Sequence, residues 1–247
     1  MLKQIKQAIR TARLRRQQLQ DLNATTCLPG GERGGWPVLP ELLHRDAVVY
    51  SFGVGDNIAW DLGMIEQFGV TVHAFDPTPE SVAWFEAQDT PPALQFHACG
   101  LSHRDGLLEF YPPKKPGRMH YSQDRQKFTR SSHQKVSCPV RRLATIAAEL
   151  GHTRIDVLKL DIEGSEFDAI PELLGAGLPI GQLLVEIHYN HPTRSFQEGM
   201  QLIQRIKQAG MQCFFVSPRG YEFGFVHPAW NVSPTCDSAA FQAQDAA

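Results

Sequence analysis

From residue 47 onward, short apolar runs alternate with helical stretches, and this alternation sets the expected architecture. Ala47 to Phe52 is a nearly continuous apolar run that ends at glycines and reads as a buried strand. Ile58 to Phe68 follows as a helix stopped by Gly69, Val70 to Phe75 as a strand, Pro79 to Ala87 as a helix, and Leu94 to Ala98 as a third strand. Leu107 to Tyr111 is a short strand closed by Pro112 and Pro113, which puts it at a sheet edge or outside the main sheet. Arg141 to Leu150 reads as a helix, Ile155 to Leu160 as a strand, Ser165 to Leu174 as a helix, Leu183 to Tyr189 as a strand and Phe196 to Ala209 as a helix. Met211 to Val216 and Tyr221 to Val226, joined by Ser217 to Gly220, read as a closing hairpin. Repeated strand–helix alternation predicts an α/β fold: a doubly wound, mostly parallel sheet with helices on both faces and an antiparallel C-terminal hairpin.

The flanks have a different pattern. The first twenty residues carry six basic side chains and no acid, and Leu2, Ile5, Ile9, Ala12 and Leu19 fall at three- and four-residue steps. That spacing predicts a helix with one narrow apolar seam, for docking on its own domain or for a homodimer contact. A membrane-surface helix would need a wider seam. Leu28 to Pro40 is rich in Gly and Pro and reads as a linker. The expected organisation is a basic helix and linker over 1–40, a core domain over 41–228 and a flexible tail over 229–247. Within the core, Lys114 to Arg142 holds nine basic residues and a single acid, Asp124. This basic insertion, centred on 114–140, reads as a solvated loop or as a lid over an anionic or hydroxyl-rich substrate.

Composition narrows the function classes. The chain has 247 residues, 42% hydrophobic and 20% charged, with a formal net charge of -2, so a broad electrostatic grip on nucleic acid is not expected. No apolar run is long enough to span a bilayer, and the basic N-terminus lacks the apolar core of a signal peptide. Five scattered cysteines without a CxxC pair argue against a disulfide framework or structural zinc and fit a cytoplasmic protein. The sequon at Asn231 is then idle.

The candidate chemistry lies at strand ends. Phe52-Gly53-Val54-Gly55-Asp56 turns from strand to helix, and glycines there let a ligand approach the backbone beside a helix N-terminus. Asp76 ends the next strand about twenty residues on, where doubly wound folds place an acid on the ribose hydroxyls of a nucleotide-like ligand. Its alternative is a helix cap ahead of Pro79. A dinucleotide fingerprint would want a third glycine at Ile58, so a ligand with ribose but no pyrophosphate fits better, and S-adenosylmethionine is such a ligand. A nicotinamide-dependent oxidoreductase is the alternative enzyme class, and a non-catalytic S-adenosylmethionine-binding module the alternative outside enzymes. Asp161 and Glu163 follow another strand, while Glu186 and His188, two apart, share a strand face. Acids and a histidine at neighbouring mouths of one sheet suit acid/base chemistry or a divalent metal. For acid/base chemistry, His188 is the expected base, with Glu186 to orient it and Asp161 to hold the cofactor or acceptor. In the metal arrangement Asp161, Glu163 and His188 are the expected ligands.

Several of these segments occur together as an ordered series: Tyr50 to Asp56, His73 to Pro79, Gly100 to Ser102, Phe110 to Pro113, Leu158 to Glu166 and Val185 to His188. The series resembles the FkbM-type methyltransferases over roughly residues 47 to 226. The resemblance implies a Rossmann-like class I S-adenosylmethionine fold of seven strands with the last antiparallel, and O-methylation of hydroxyls on sugars or natural products. By the same resemblance Ser51, Gly53, Gly55 and Asp56 are cofactor-binding, with Gly53 and Gly55 lining the methionine part, and Asp76 takes the ribose. Cys99 to Leu101 flank the adenine and Asp161 sits near the sulfonium. Many members open the glycine turn with an acid where this chain has Ser51, which leaves the cofactor amino group to Asp56 or Asp161. The implied partner is a small-molecule acceptor with a hydroxyl group.

Overall fold

A computed structural model describes residues 7, 10–14, 16–31, 34–113, 119, 121–122, 135–189 and 193–230. The strands are β1 (Val49–Phe52), β2 (Val72–Phe75), β3 (Leu94–His97), β4 (Gly100–Leu101), β5 (Gly106–Phe110), β6 (Val136–Arg141), β7 (Ile155–Leu160), β8 (Ile180–Glu186), β9 (Gln212–Val216) and β10 (Glu222–Val226). After a first helix, α1, described at residues 10–14, the helices are α2 (Ala59–Phe68), α3 (Pro79–Glu86), α4 (Leu143–Glu149), α5 (Glu166–Gly175) and α6 (Phe196–Gln208). Seven strands form one sheet in the order β3-β2-β1-β7-β8-β10-β9. The five from β3 to β8 are mutually parallel, and β10 runs antiparallel to both β8 and β9. This is the doubly wound, Rossmann-like sheet expected from the alternation, with the last strand antiparallel.

Both faces of the sheet are buried, which is why its strands read as unbroken apolar runs. Tyr50, Phe52, Leu158, Leu160, Leu183 and Val185 pack on one side with Leu143, Ile170, Leu173, Leu202 and Ile206 from α4, α5 and α6. Val49, Val72, Val157 and Leu184 pack on the other with Trp60 and Met64 of α2. Each fully buried side chain of this size contributes about 1.5–3 kcal/mol. Helix α6 is set by a capping box, in which Ser195 Oγ accepts from the Glu198 N–H while Glu198 accepts from the Ser195 N–H at 2.7 Å.

Several expectations are corrected. The Gly/Pro-rich segment read as a linker is packed: Trp36, Val38 and Leu39 are buried against α2. The Leu39 N–H donates to Gln182 Oε1 at 2.7 Å, and Gln182 Nε2 donates back to the Leu39 carbonyl at 3.2 Å. Strand β8 begins three residues earlier than Leu183, because Gly181 leaves room for Trp230 and Gln182 is satisfied by Leu39. Part of the basic insertion is strand β6, which pairs parallel with β4 and antiparallel with β5 in a separate three-stranded sheet. Cys138 and Val140 alternate there into a small core with Phe110 and Tyr121. In α1 the inward residue is Leu14 rather than Ala12, and the helix docks on its own domain. The Arg10 guanidinium lies 4.0 Å from the Tyr221 ring and that of Arg13 4.1 Å from Phe196. Residues 231–247, including the sequon and most of the tail, lie outside the described residues. Among the described residues, no helix is long and apolar enough to cross a membrane, and Cys27, Cys99, Cys138 and Cys213 are free thiols.

Candidate active site

The glycine turn is shaped by the neighbouring strand end. Gly53 has φ 81°, and a Cβ on it would overlap the carbonyl oxygen of Asp161. The Asp161 N–H donates to the Phe52 carbonyl at 3.1 Å and the Gly53 N–H to the Phe75 carbonyl at 2.9 Å, so β1, β2 and β7 meet at this turn. Asp76 then ties the turn to the start of α3. Its carboxylate accepts from the Gly55 N–H at 3.0 Å, the Thr78 N–H at 3.0 Å and the Thr78 hydroxyl at 2.6 Å. The residue at the cap of α3 is Thr78, so Asp76 is not itself the helix cap.

A cavity of about 720 Å³ opens over the carboxyl ends of β1, β2, β7 and β8, the place where open α/β sheets bind ligands. Gly53, Gly55, Asp56, Asp76, Leu101, Asp161, Glu163 and Glu186 all contribute to its walls. Ser51 and Cys99 do not. Ser51 is wholly buried within β1, and Cys99 turns away, its thiol pushed up to about 11 by burial. Met119 and Tyr121, from the described part of the basic insertion, reach the cavity, and Ser122 Oγ donates to the Glu163 carbonyl at 3.0 Å. Of the basic side chains of this insertion, Lys135, Arg141 and Arg142 pair with Glu109, Glu149 and Asp105, and the others, including Arg125, Lys127 and Arg130, lie outside the described residues.

The acid wall is organised around His188, which stands behind it rather than in it. Nε2 of His188 lies 3.5 Å from Glu163, 4.0 Å from Asp161 and 4.0 Å from Glu186. The ring is oriented by Glu166 and not, as expected, by Glu186. Glu166 is fully buried, lies 3.2 Å from His188 Nδ1, and accepts from the backbone N–H groups of His188 and Gly164. Burial disfavours a charged imidazole, but Glu166, Glu163 and Asp161 outweigh it and hold His188 well above the ordinary histidine range. The ring is therefore charged near neutrality and poorly suited to the base role assigned to it. Burial pushes the Glu186 carboxyl up to about 7, with Asp161 adding to the rise and His188 and Arg219 opposing it. Burial also raises Asp161, against the pull of Lys159 and His188. The compact set of potential metal ligands among the described residues is Asp161, Glu186 and His188, whose ligand atoms lie within 4.8 Å of one another, so Glu186 replaces the expected Glu163.

Sequence reasoning missed other contributors. Trp36 and Pro37 line the cavity from the segment read as a linker, and Phe215, Ser217 and Arg219 from the closing hairpin. Glu166 was inside a recognised motif, but only the three-dimensional packing of α5 under β8 assigns it to His188.

The human probable methyltransferase-like protein 24 is 29% identical over 155 residues, covering 62% of this chain and 35% of that protein. Methyltransferase 1 of Beauveria bassiana (strain ARSEF 2860) is 28% identical over 118 residues, covering 40% of this chain and 47% of that protein. The chain thus spans less than half the length of each of these relatives. The crystal structure of Methyltransferase FkbM from Methylobacillus flagellatus KT aligns with a TM-score of 0.46 at 16% identity, over 74% of this chain and 44% of that one. The model of the methyltransferase FkbM domain matches residues 53–213, more than half of the sequence, and the chain belongs to that family.

Proposed function

We propose that the chain is an S-adenosylmethionine-dependent methyltransferase that O-methylates a hydroxyl of a sugar or natural product. The observation that carries the reading is one cavity holding the glycine turn, Asp76 and the acid wall of Asp161 and Glu186. The donor set fits the cofactor. A carboxylate offers about four lone-pair sites, and three internal donors engage Asp76, which leaves acceptor capacity for a ribose hydroxyl. Leu101 is on the cavity wall as the residue to flank the adenine, and Gly53 and Gly55 are to let the methionine end approach the backbone. When bound, the cofactor supplies a methyl group on a sulfonium.

The chain's own residues then position the acceptor and remove its proton. An aliphatic hydroxyl has a pKa comparable to that of water, about 15.7, and is a weak nucleophile until a base takes the proton. Glu186, at about 7, is matched to that task near neutrality. Charged His188, clamped by Glu166, holds the acid wall together. Asp161 offers negative charge near a positive sulfonium, and Met119 and Tyr121 help exclude water. The spacing of Asp161, Glu186 and His188 favours a second arrangement in which a divalent ion held there lowers the hydroxyl pKa.

Transfer of labelled methyl from S-adenosylmethionine to a panel of sugar and natural-product hydroxyls tests the proposal. Glu186→Gln should lower turnover about 10²- to 10⁴-fold while cofactor affinity holds. Loss of activity in EDTA, restored by added metal, selects the metal arrangement. Cofactor binding without transfer to any acceptor favours a non-catalytic binding module, and tight NADH binding in its place favours the oxidoreductase.

A further inference from the structure

Lys159 is an unusual resident of its strand. β7 is buried along its whole length, and Lys159 is only 6% exposed. Side-chain alternation puts Leu158 and Leu160 in one core and Val157 in the other, so Lys159 shares the face of Val157 and α2. There its ammonium lies 5.3 Å from the Trp36 ring and 5.9 Å from the Trp60 ring. Indole faces compensate a buried cation only in part. An ammonium has three donors to satisfy and no acceptor of its own. Among the described residues, Lys159 Nζ makes no hydrogen bond and no ion pair within 4.0 Å. Asp61 on α2 and Asp161 at the end of β7 interact with it only at longer range. The open direction is the cavity, whose wall Lys159 forms together with Trp36, Trp60 and Gly53.

The position selects the kind of anion. Lys159 is paired in register with Ser51, two residues before Gly53, and so lies just beneath the glycine turn. Asp76 marks the ribose end of the cavity, and Glu186 the acceptor side. Between them, the part of the cofactor that reaches β1 and β7 is its amino-acid end, whose carboxylate can accept directly from the ammonium. We infer that Lys159, seated between Trp36 and Trp60, anchors the methionine carboxylate of the cofactor, an assignment that rests on the S-adenosylmethionine reading above. Lys159 is thus a cofactor-specificity residue, separating ligands that carry the amino-acid carboxylate from those that do not.

Isothermal titration of the wild-type protein with S-adenosylhomocysteine, its carboxamide and 5′-methylthioadenosine, repeated with Lys159→Met, tests the assignment. The carboxamide should bind wild type about 10- to 100-fold more weakly than the acid, in line with a charge-assisted hydrogen bond. Lys159→Met should weaken the acid by a similar factor, leave the carboxamide and 5′-methylthioadenosine unchanged, and abolish the preference for the acid. Equal affinity of wild type for acid and carboxamide overturns the assignment without any variant, even if Lys159→Met fails to fold. Equal weakening of 5′-methylthioadenosine and S-adenosylhomocysteine in Lys159→Met also overturns it, because the lysine is then structural. If wild type binds neither adenosine ligand, the cofactor reading itself fails, and the anchor with it.

Discussion

Glu186→Gln is expected to stabilise the folded protein at alkaline pH while it removes activity. Burial pushes the Glu186 carboxyl from its ordinary 4.5 up to about 7. Between these values the folded chain keeps a proton that the unfolded chain has released, so stability falls as pH rises. The penalty is absent below 4.5 and complete above about 7. At about 1.4 kcal/mol per pKa unit, the interval corresponds to at most about 3.5 kcal/mol. The side chain is 19% exposed, so solvent screens only a small part of this. Glutamine keeps the shape without the charge, and the penalty should vanish with it. Urea unfolding of wild type and Glu186→Gln, compared between about pH 5 and pH 8, should show a stability gap that opens with pH in favour of the variant. A gap that stays constant, or a variant less stable at the alkaline end, would refute both the burial argument and the assignment of Glu186 as the tuned acid.

Other outcomes follow from the same geometry. Burial lowers His73 to about 4, helped by the charges of His97 and His152. Its contribution is therefore complete above about 6.5 and lost as pH falls towards about 4, up to about 3.5 kcal/mol. His73→Phe should flatten that acid limb in denaturant titrations, and an unchanged limb would assign acid sensitivity elsewhere. Gly53→Ala and Gly55→Ala both place a Cβ at positive φ, which costs about 1–2 kcal/mol. Only Gly53→Ala also collides with the Asp161 carbonyl, so its thermal midpoint should fall well below that of Gly55→Ala. Equal midpoints would mean that the β1–β7 contact is not tight.

Much of the architecture was legible because its strands are buried on both faces. Ile155 to Leu160 ends where the apolar run ends. Asp76 was legible for a related reason: a carboxylate between a buried strand and Pro77 has few places to go. Strand β6 was hidden because surrounding basic residues mask the period-two pattern of Val136, Cys138 and Val140. Trp36 to Leu39 was hidden behind glycines and prolines that signal a loop, although the apolar side chains between them belong to the core. The roles within the acid wall depend on contacts between distant segments. Glu186 is nearer to His188 in sequence, but Glu166 holds the ring, because α5 presents its first residue to the start of the loop after β8. Ser51, read as a ligand residue from its place before the turn, faces the interior because the strand's alternation turns it there.

Isothermal titration with S-adenosylhomocysteine, with Asp76→Ala measured beside the wild type, decides whether the cavity is a cofactor site. Wild type should show one site per chain, and Asp76→Ala an affinity loss of about 10- to 100-fold, the size of a hydrogen bond to a charged group. No binding heat for wild type at millimolar ligand would rule out the cofactor site, and equal affinity in the two proteins would remove Asp76 from it.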